Sequence, residues 1–170
     1  MNYAGNMSEL TMKADPKAIQ DDTRREGLEL ATLTFYDIPA LAALAAASYG
    51  NPSTAESLWD ATDEMRLYFD GAFGAPRDDS FVGAWKDGEL VGAIFGVLDA
   101  PIEGVPRGPF VIDLMVDPKW RRQGIGSALV NELAGRVGTW GYDDLALQLD
   151  MRKSPEALQL YRSLGFSEVS

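Results

Sequence analysis

Apolar and polar positions follow two rhythms along this chain, and the points where one gives way to the other outline its elements. Leu28–Leu33 (LELATL) alternates and predicts a strand. Asp37 then precedes IPALAALAAASYG, an alanine-rich run with Pro39 in its first turn and Gly50 past its end, which predicts a helix. The loop NPSTAE follows, with Ser53 and Glu56 at capping-box spacing, and a second helix is expected from about Thr54 to Phe69, broken by Gly71, Gly74 and Pro76. In SFVGAWKDGELVGAIFGVLD, two β-prone runs flank Lys86-Asp87-Gly88-Glu89 and predict a hairpin. FVIDLMV is almost continuously apolar, the pattern of a strand covered on both faces, and Asp117-Pro118 ends it. Ile125, Leu129, Leu133 and Val137 recur at helical steps, whereas LALQL (Leu145–Leu149) has a leucine at every second place and predicts a strand. Ser154-Pro155 opens a last helix that Gly165 terminates, and FSEVS begins a final strand.

The expected order is β-α-α-β-β-β-α-β-α-β, with the second to fourth strands antiparallel. FVIDLMV and LALQL are joined through a helix and are expected to be parallel, connected by a right-handed crossover. The fold class is therefore α/β: a single domain over residues 28–170 with a mixed, mostly antiparallel sheet flanked by helices. Residues 1–27 are polar, mixed in charge and weakly periodic, and are expected to be a flexible arm or a short docking helix. No apolar run approaches the ~20 residues needed to span a bilayer. No basic-then-apolar leader opens the chain, so a cytoplasmic location without membrane contact is expected.

Composition narrows the chemistry. The chain has no cysteine and no histidine. Disulfides, thiolate metal sites, a cysteine nucleophile and a serine–histidine hydrolase are thereby excluded, and no metal is expected. Acid–base work falls to Asp, Glu, Tyr, Lys, water or the substrate. The net charge of −11 is concentrated between residues 28 and 117, while residues 118–170 carry a slight positive excess. Such a body repels nucleic acid and suits cationic small molecules, although solubility alone also accounts for it.

The switch from FVIDLMV to the next helix runs through WRRQGIGSALV. Two glycines at a helix start cost backbone entropy and add no packing. What they offer is bare backbone beside unpaired N–H groups and the positive end of a helix dipole, where anions bind. Gly124 and Gly126 would admit a diphosphate without meeting a Cβ, and Arg121 and Arg122 add charge nearby. Tight strand–helix packing is the other use of such glycines. The Gly-Lys-Ser/Thr ending of a Walker loop is absent, and position 129, where a dinucleotide fingerprint needs glycine, is leucine.

VDPKWRRQGIGSALV, followed about thirty residues later by SPEALQLYRSLGF, resembles the GNAT superfamily of acyl-CoA-dependent N-acetyltransferases. Arg121, Gly124 and Gly126 meet its (Arg/Gln)-x-x-Gly-x-(Gly/Ala) signature, and Tyr161, Gly165 and Phe166 meet its Tyr-x-x-x-Gly-Phe hallmark. The resemblance covers roughly residues 28–166. It implies a GNAT-like sheet whose parallel pair, FVIDLMV and LALQL, splays apart to hold acetyl-CoA as the acyl donor. Leu114, Met115 and Val116 would pair with the pantetheine arm, and a backbone N–H there would polarise the thioester carbonyl. Arg121, Arg122, Gln123, Gly124, Ile125, Gly126 and Ser127 would hold the diphosphate. Ser154 stands where many members have asparagine, and would bond the pantetheine, cap its helix, or both.

By the same resemblance Tyr161 would protonate the leaving thiolate; packing in the core is its other reading. Asp113 interrupts an apolar strand beside the expected thioester site, where an unpaired charge is costly. It would take the amine proton through water or bind the ammonium, unless an arginine or backbone N–H groups merely satisfy it. Many members carry a glutamate earlier on this strand, where Phe110 stands here. Acceptor specificity is expected from residues 49–69 and 99–109. There Glu56, Asp60 and either Asp63 or Glu64 share a helix face that could receive a polycation or be merely solvated, and Trp59 and Tyr68 would line a pocket or the core.

Ser170 follows the Gly-Phe pair by four residues, where family members continue through a further strand pair. The final strands are thus expected to be truncated. The N-terminal arm, or a second subunit in a homodimer, is expected to cover the edge of LALQL. The leading expectation is an N-acetyltransferase acting on a small cationic primary amine. A protein or peptide N-acetyltransferase and a non-catalytic CoA-binding module are the alternatives.

Overall fold

The computed structural model describes residues 9–19, 25–51, 54–152 and 155–169. Among them the elements run β1 (Glu9–Ala14), β2 (Leu28–Thr32), α1 (Ile38–Ser48), α2 (Ala55–Phe69), β3 (Phe81–Lys86), β4 (Glu89–Leu98), β5 (Pro109–Val116), α3 (Ile125–Thr139), β6 (Leu145–Asp150), α4 (Pro155–Leu164) and β7 (Ser167–Glu168). A single seven-stranded sheet has the order β2-β3-β4-β5-β6-β1-β7. All pairings are antiparallel except β5 with β6. No helix among the described residues is long and apolar enough to cross a membrane.

The N-terminal segment covers the edge of the leucine strand, as expected of the arm, but in a different form. Glu9–Ala14 is neither an arm nor a helix but a full strand, antiparallel to β6 from Glu9 opposite Asp150 to Ala14 opposite Leu145. It covers the outer edge of the leucine strand and carries the two-residue β7 on its other side. The sequence hides it because only Met12 and Ala14 are buried along its length, too few to mark a period.

Two apolar layers sandwich the sheet. On one face α1 and α2 bury Leu41, Leu44, Met65 and Tyr68 against Phe81, Phe95, Phe110 and Met115. On the other, α3 and α4 bury Leu129, Leu133, Val137 and Leu164 against Val82, Ile94, Leu145 and Leu147. The four residues read at helical steps, Ile125 to Val137, are all buried in α3. Thr54 caps α2 by accepting the Ser57 N–H at 3.1 Å; Ser53, expected in that role, lies outside the described residues. The approach of α3 to the sheet is close because β4 has glycine beneath it. A Cβ at Gly92 would fall 2.9 Å from Ile125 Cγ2 and 3.1 Å from Leu129 Cδ1, so the first turn of α3 rests on bare strand.

Two irregularities open the middle of this sheet. The parallel ladder between β5 and β6 holds only Phe110 opposite Ala146 and Val111 opposite Leu147, and beyond it the strands part. On the other side of β5, Val111 faces Gly96 while Asp113 faces Phe95, which leaves Ile112 as a bulge. A bulge inverts the alternation of every residue after it. Ile112 and Asp113 therefore both point toward α1 and α2, and Leu114 takes the α3–α4 face.

Candidate active site

The gap between β5 and β6 is a cleft of about 320 Å³ lined by Val111 to Leu114, Leu147 to Asp150, Ala157, Leu160 and Tyr161. It joins the two faces of the sheet. Asp113 enters from the α1–α2 side and Tyr161 from the α3–α4 side.

Asp113 is held by side chains far apart in sequence. Tyr49, the residue that ends α1, and Tyr68, in the last turn of α2, each donate a hydroxyl hydrogen bond to Asp113 Oδ2 at 3.0 Å. The other carboxylate oxygen, Oδ1, accepts the Leu114 N–H at 2.8 Å. Burial pushes the Asp113 carboxyl above its ordinary range, and the bonds from Tyr68, Tyr49 and the Leu114 N–H oppose that rise. Among the described residues its partners are the two phenols and one backbone N–H, all neutral donors.

The two tyrosines differ. Tyr68 is buried, with its ring stacked 4.5 Å from that of Phe95. Tyr49 is 56 % exposed, so it forms the outer wall of the cup. Burial first, then the Asp113 charge, raises both phenols, and the Glu64 carboxylate adds to the effect on each. Both remain protonated donors at neutral pH.

Tyr161 is only 6 % exposed and packs edge-to-face on Phe166, with ring centroids 5.5 Å apart. Phe166 itself donates its N–H to the Tyr161 carbonyl at 3.0 Å, closing the end of α4. The paired spacing of Tyr161 and Phe166 thus serves packing as well as the site. Burial, and after it the Asp113 charge, raises the phenol of Tyr161, which stays a proton carrier across the neutral range.

The glycine stretch lies at the cleft's end. Gly124 takes φ +78 as the residue before α3, a left-handed backbone that favours glycine. Gly126 sits in the first helical turn facing Leu114 and Leu160, where a Cβ would meet them only at 3.8 and 4.0 Å. No acidic residue stands in that first turn, so the N–H groups and dipole of α3 are unopposed. The other candidate residues of the loop divide. Arg121 does not turn to the loop: its Nη2 donates to the Ser48 carbonyl at 2.9 Å, tying the loop to the end of α1. Arg122 and Gln123 are exposed, Arg122 with φ +64. Ile125 is buried over Gly92, and Ser127 is half-buried in α3.

Along β5, Leu114 lines the cleft, whereas the Met115 side chain is buried in the α1–α2 layer and Val116 is half-buried against the other. Only their backbone can face a ligand in common. Ser154 lies outside the described residues. Phe110 is fully buried on the same face as Asp113. Trp59 is 71 % exposed and lines neither the core nor the cleft. Glu56, Asp60, Asp63 and Glu64 are exposed, with Asp63 3.6 Å from Arg66. Tyr49 and the hydroxyl of Tyr68 were not legible as partners of Asp113, since positions 49, 68 and 113 share no spacing that a sequence displays.

The sheet thus holds a cleft between parted parallel strands, with Tyr161 in its lining and Gly126 in contact range of Leu114 and Leu160, which line it too. Residues 38–166 match the profile of the acetyltransferase (GNAT) family, and the chain belongs to that family. Over 78 residues, 46% of this chain, it is 37% identical to the N-alpha-acetyltransferase 30 proteins of Xenopus laevis and Homo sapiens, where the match covers 28% and 21% of their lengths. The chain thus spans only about a quarter of the curated relatives it matches. Among solved structures, an acetyltransferase from the GNAT family of Colwellia psychrerythraea superposes with a TM-score of 0.66 at 17% identity, covering 95% of this chain and 52% of that one. The ribosomal-protein-S18-alanine N-acetyltransferase of Escherichia coli superposes with a TM-score of 0.61 at 19% identity, covering 84% and 79%. At these identities both speak for the fold.

Proposed function

We propose that the protein transfers an acetyl group from acetyl-CoA to the primary amine of a small cationic acceptor. The observation that carries this reading is the meeting of Asp113 and Tyr161 across one cleft, a proton acceptor and a proton donor brought from opposite faces of the sheet. The fit to the acyl donor rests on three features: the open gap between β5 and β6, the left-handed Gly124, and the small Gly126 facing the cleft.

Acetyl-CoA supplies the activated acyl carbon. Asp113, with Tyr49 and Tyr68 around it, orients the acceptor through its ammonium, and Glu64 adds negative field at the entrance. The ammonium first gives one proton to water; as the neutral amine forms the C–N bond and the C–S bond breaks, Asp113 takes the second proton from the nitrogen, directly or through water, and Tyr161 gives its hydroxyl proton to the departing sulfur. With the Leu114 N–H given to Asp113, a backbone N–H farther along β5, at Met115 or Val116, polarises the thioester carbonyl. Bringing the reactants together in one cleft supplies much of the acceleration by proximity. The same carboxylates disfavour an acceptor bearing its own carboxylate next to the amine.

The second reading is an N-terminal or lysine amine of a peptide, and the 37% identity to N-alpha-acetyltransferase 30 over 78 residues favours it. Peptide N-termini also present an ammonium without an adjacent carboxylate, so the Asp113 cup serves either acceptor. A cytoplasmic location and a homodimer remain part of the proposal.

The test is CoA release from acetyl-CoA, followed with a thiol reagent across polyamines, amino acids, aminoglycosides and short peptides. The absence of cysteine leaves no background thiol. Release with polyamines or aminoglycosides supports the first reading, and release with peptides alone supports the second. Release with none of them, from folded protein that binds CoA, would mark a CoA-binding module.

A further inference from the structure

The end of α1 is closed from inside the helix and from outside it. Gly50, with φ +71, turns the chain out of the helix. The N–H groups of Tyr49, Asn51 and Gly50 return to the carbonyls of Ala45, Ala46 and Ala47 at 3.1, 2.9 and 3.1 Å. The next carbonyl in line, that of Ser48, accepts Arg121 Nη2 at 2.9 Å from the loop before α3. The last turn of α1 holds no basic residue, so the charge that suits the negative end of its dipole comes from that loop.

What this helix end carries is Tyr49. Its hydroxyl reaches Asp113 Oδ2 at 3.0 Å, yet the residue is 56 % exposed, so packing does little to hold its ring. Tyr68 bonds the same oxygen from a buried position, stacked on Phe95. One phenol of the cup is therefore fixed by the core, and the other by the backbone from which it grows. A hydrogen bond from Arg121 to Ser48, the peptide bond from Ser48 to Tyr49, and a hydrogen bond from Tyr49 to Asp113 connect the glycine loop to the cup.

We propose that Arg121 is a positioning residue of the acceptor side: by holding the Ser48 carbonyl it fixes the end of α1, and with it the Tyr49 hydroxyl on Asp113. The proposal rests on the reading of Asp113 as the carboxylate that receives the acceptor. It leaves the diphosphate to the N–H groups of α3 and the exposed Arg122. The groups acting on Asp113 are Tyr49 from the end of α1, Tyr68 from α2 and the Leu114 N–H on its own strand. Its charge is felt by Tyr161 from α4, and Glu64 acts on both phenols of the cup. The Tyr49 bond opposes the rise that burial imposes on the Asp113 carboxyl, so a loosened Tyr49 lets it rise further.

The test follows the Asp113 carboxyl carbon by NMR through a pH titration of the full chain, as wild type, Arg121→Met, Arg121→Lys, Tyr49→Phe and the double variant of Arg121→Met with Tyr49→Phe. The Kd of each for CoA is measured by calorimetry. Arg121→Met and Tyr49→Phe should each raise the Asp113 pKa, by roughly half a unit to one unit, and the double variant should add nothing further. Arg121→Lys should recover part of the shift, and CoA should bind every variant within about twofold of wild type. An Asp113 pKa that ignores Arg121→Met would overturn the proposal. A shift that persists in full in the Tyr49→Phe background would overturn it too, since that is the bare field of a lost charge. So would CoA binding weakened about tenfold or more by Arg121→Met, which would return the guanidinium to the diphosphate. Failure of the underlying reading looks different: an Asp113→Asn variant that releases CoA at the wild-type rate would strip the cup, and Arg121 with it, of any part in receiving the acceptor, while these titrations still came out as expected.

Discussion

The two sides of the cleft are built by different means. On the proposed reading the donor side is largely backbone: the parted edges of β5 and β6, the left-handed Gly124 and the first turn of α3. The proposed acceptor side is side chain: Tyr49, Tyr68 and Asp113, gathered from two helices and a bulged strand. Backbone sites depend on glycine and on regular spacing, so one short stretch of chain can carry them. Side-chain cups depend on tertiary packing, and can change partner without touching the donor site. This division lets one fold keep its acyl donor while acceptors vary.

Substitutions can break or sharpen that contrast. Tyr161→Phe keeps the ring on Phe166 and removes only the hydroxyl. Turnover should fall about 10²-fold, while the Kd for acetyl-CoA from calorimetry should hardly move. Gly124→Ala strikes the donor side. It forces a left-handed alanine and a collision with Arg25, so we expect about 1–2 kcal/mol of lost stability, read from the denaturant midpoint, and weaker CoA binding with the acceptor KM little altered.

Tyr68→Phe is a subtler change on the acceptor side. Its hydroxyl bond favours the charged form of Asp113 against the effect of burial, so its loss raises the Asp113 pKa further. A rate that needs the carboxylate then fails at higher pH: the acid limb of the pH–rate profile should move upward, with a loss of roughly 2- to 10-fold near neutrality. Trp59→Ala should do least. That side chain is exposed and lines neither side of the cleft, so stability should stay within about 0.5 kcal/mol and turnover should be unchanged.

How much of this was legible follows the same division. Arg121, Gly124 and Gly126, and later Tyr161, Gly165 and Phe166, stand at fixed local spacings, and they pointed to the fold and to the donor cleft. Spacing did not reveal what each residue does. Arg121 has the signature position yet bonds Ser48, because the end of α1 offers an unpaired carbonyl within its reach. The bulge at Ile112 is invisible in FVIDLMV, since an apolar run reads the same with or without an extra residue, yet the bulge alone decides which face Asp113 takes. Tyr49 had no signal beyond its place at a helix end. β1 was expected to cover the leucine strand but was not read as a strand, because only Met12 and Ala14 are buried along it and show no clear period.

Asp113 is where the contrast is sharpest. Because burial raises its pKa, the folded protein binds the proton more tightly than the unfolded chain. The stability this gives is complete below the ordinary carboxylate pKa. It is lost as pH climbs through the interval up to the raised value, above which the ionised group is a net cost. Asp113→Asn keeps the shape and removes that cost, so the variant should be no less stable than wild type at neutral pH. The most direct measurement sets its Kd for acetyl-CoA beside its rate of amine-dependent CoA release. A Kd within about twofold of wild type together with a rate down about 10²-fold or more is the result expected of two separable halves. A retained rate, or a Kd that collapses along with the rate, would contradict it.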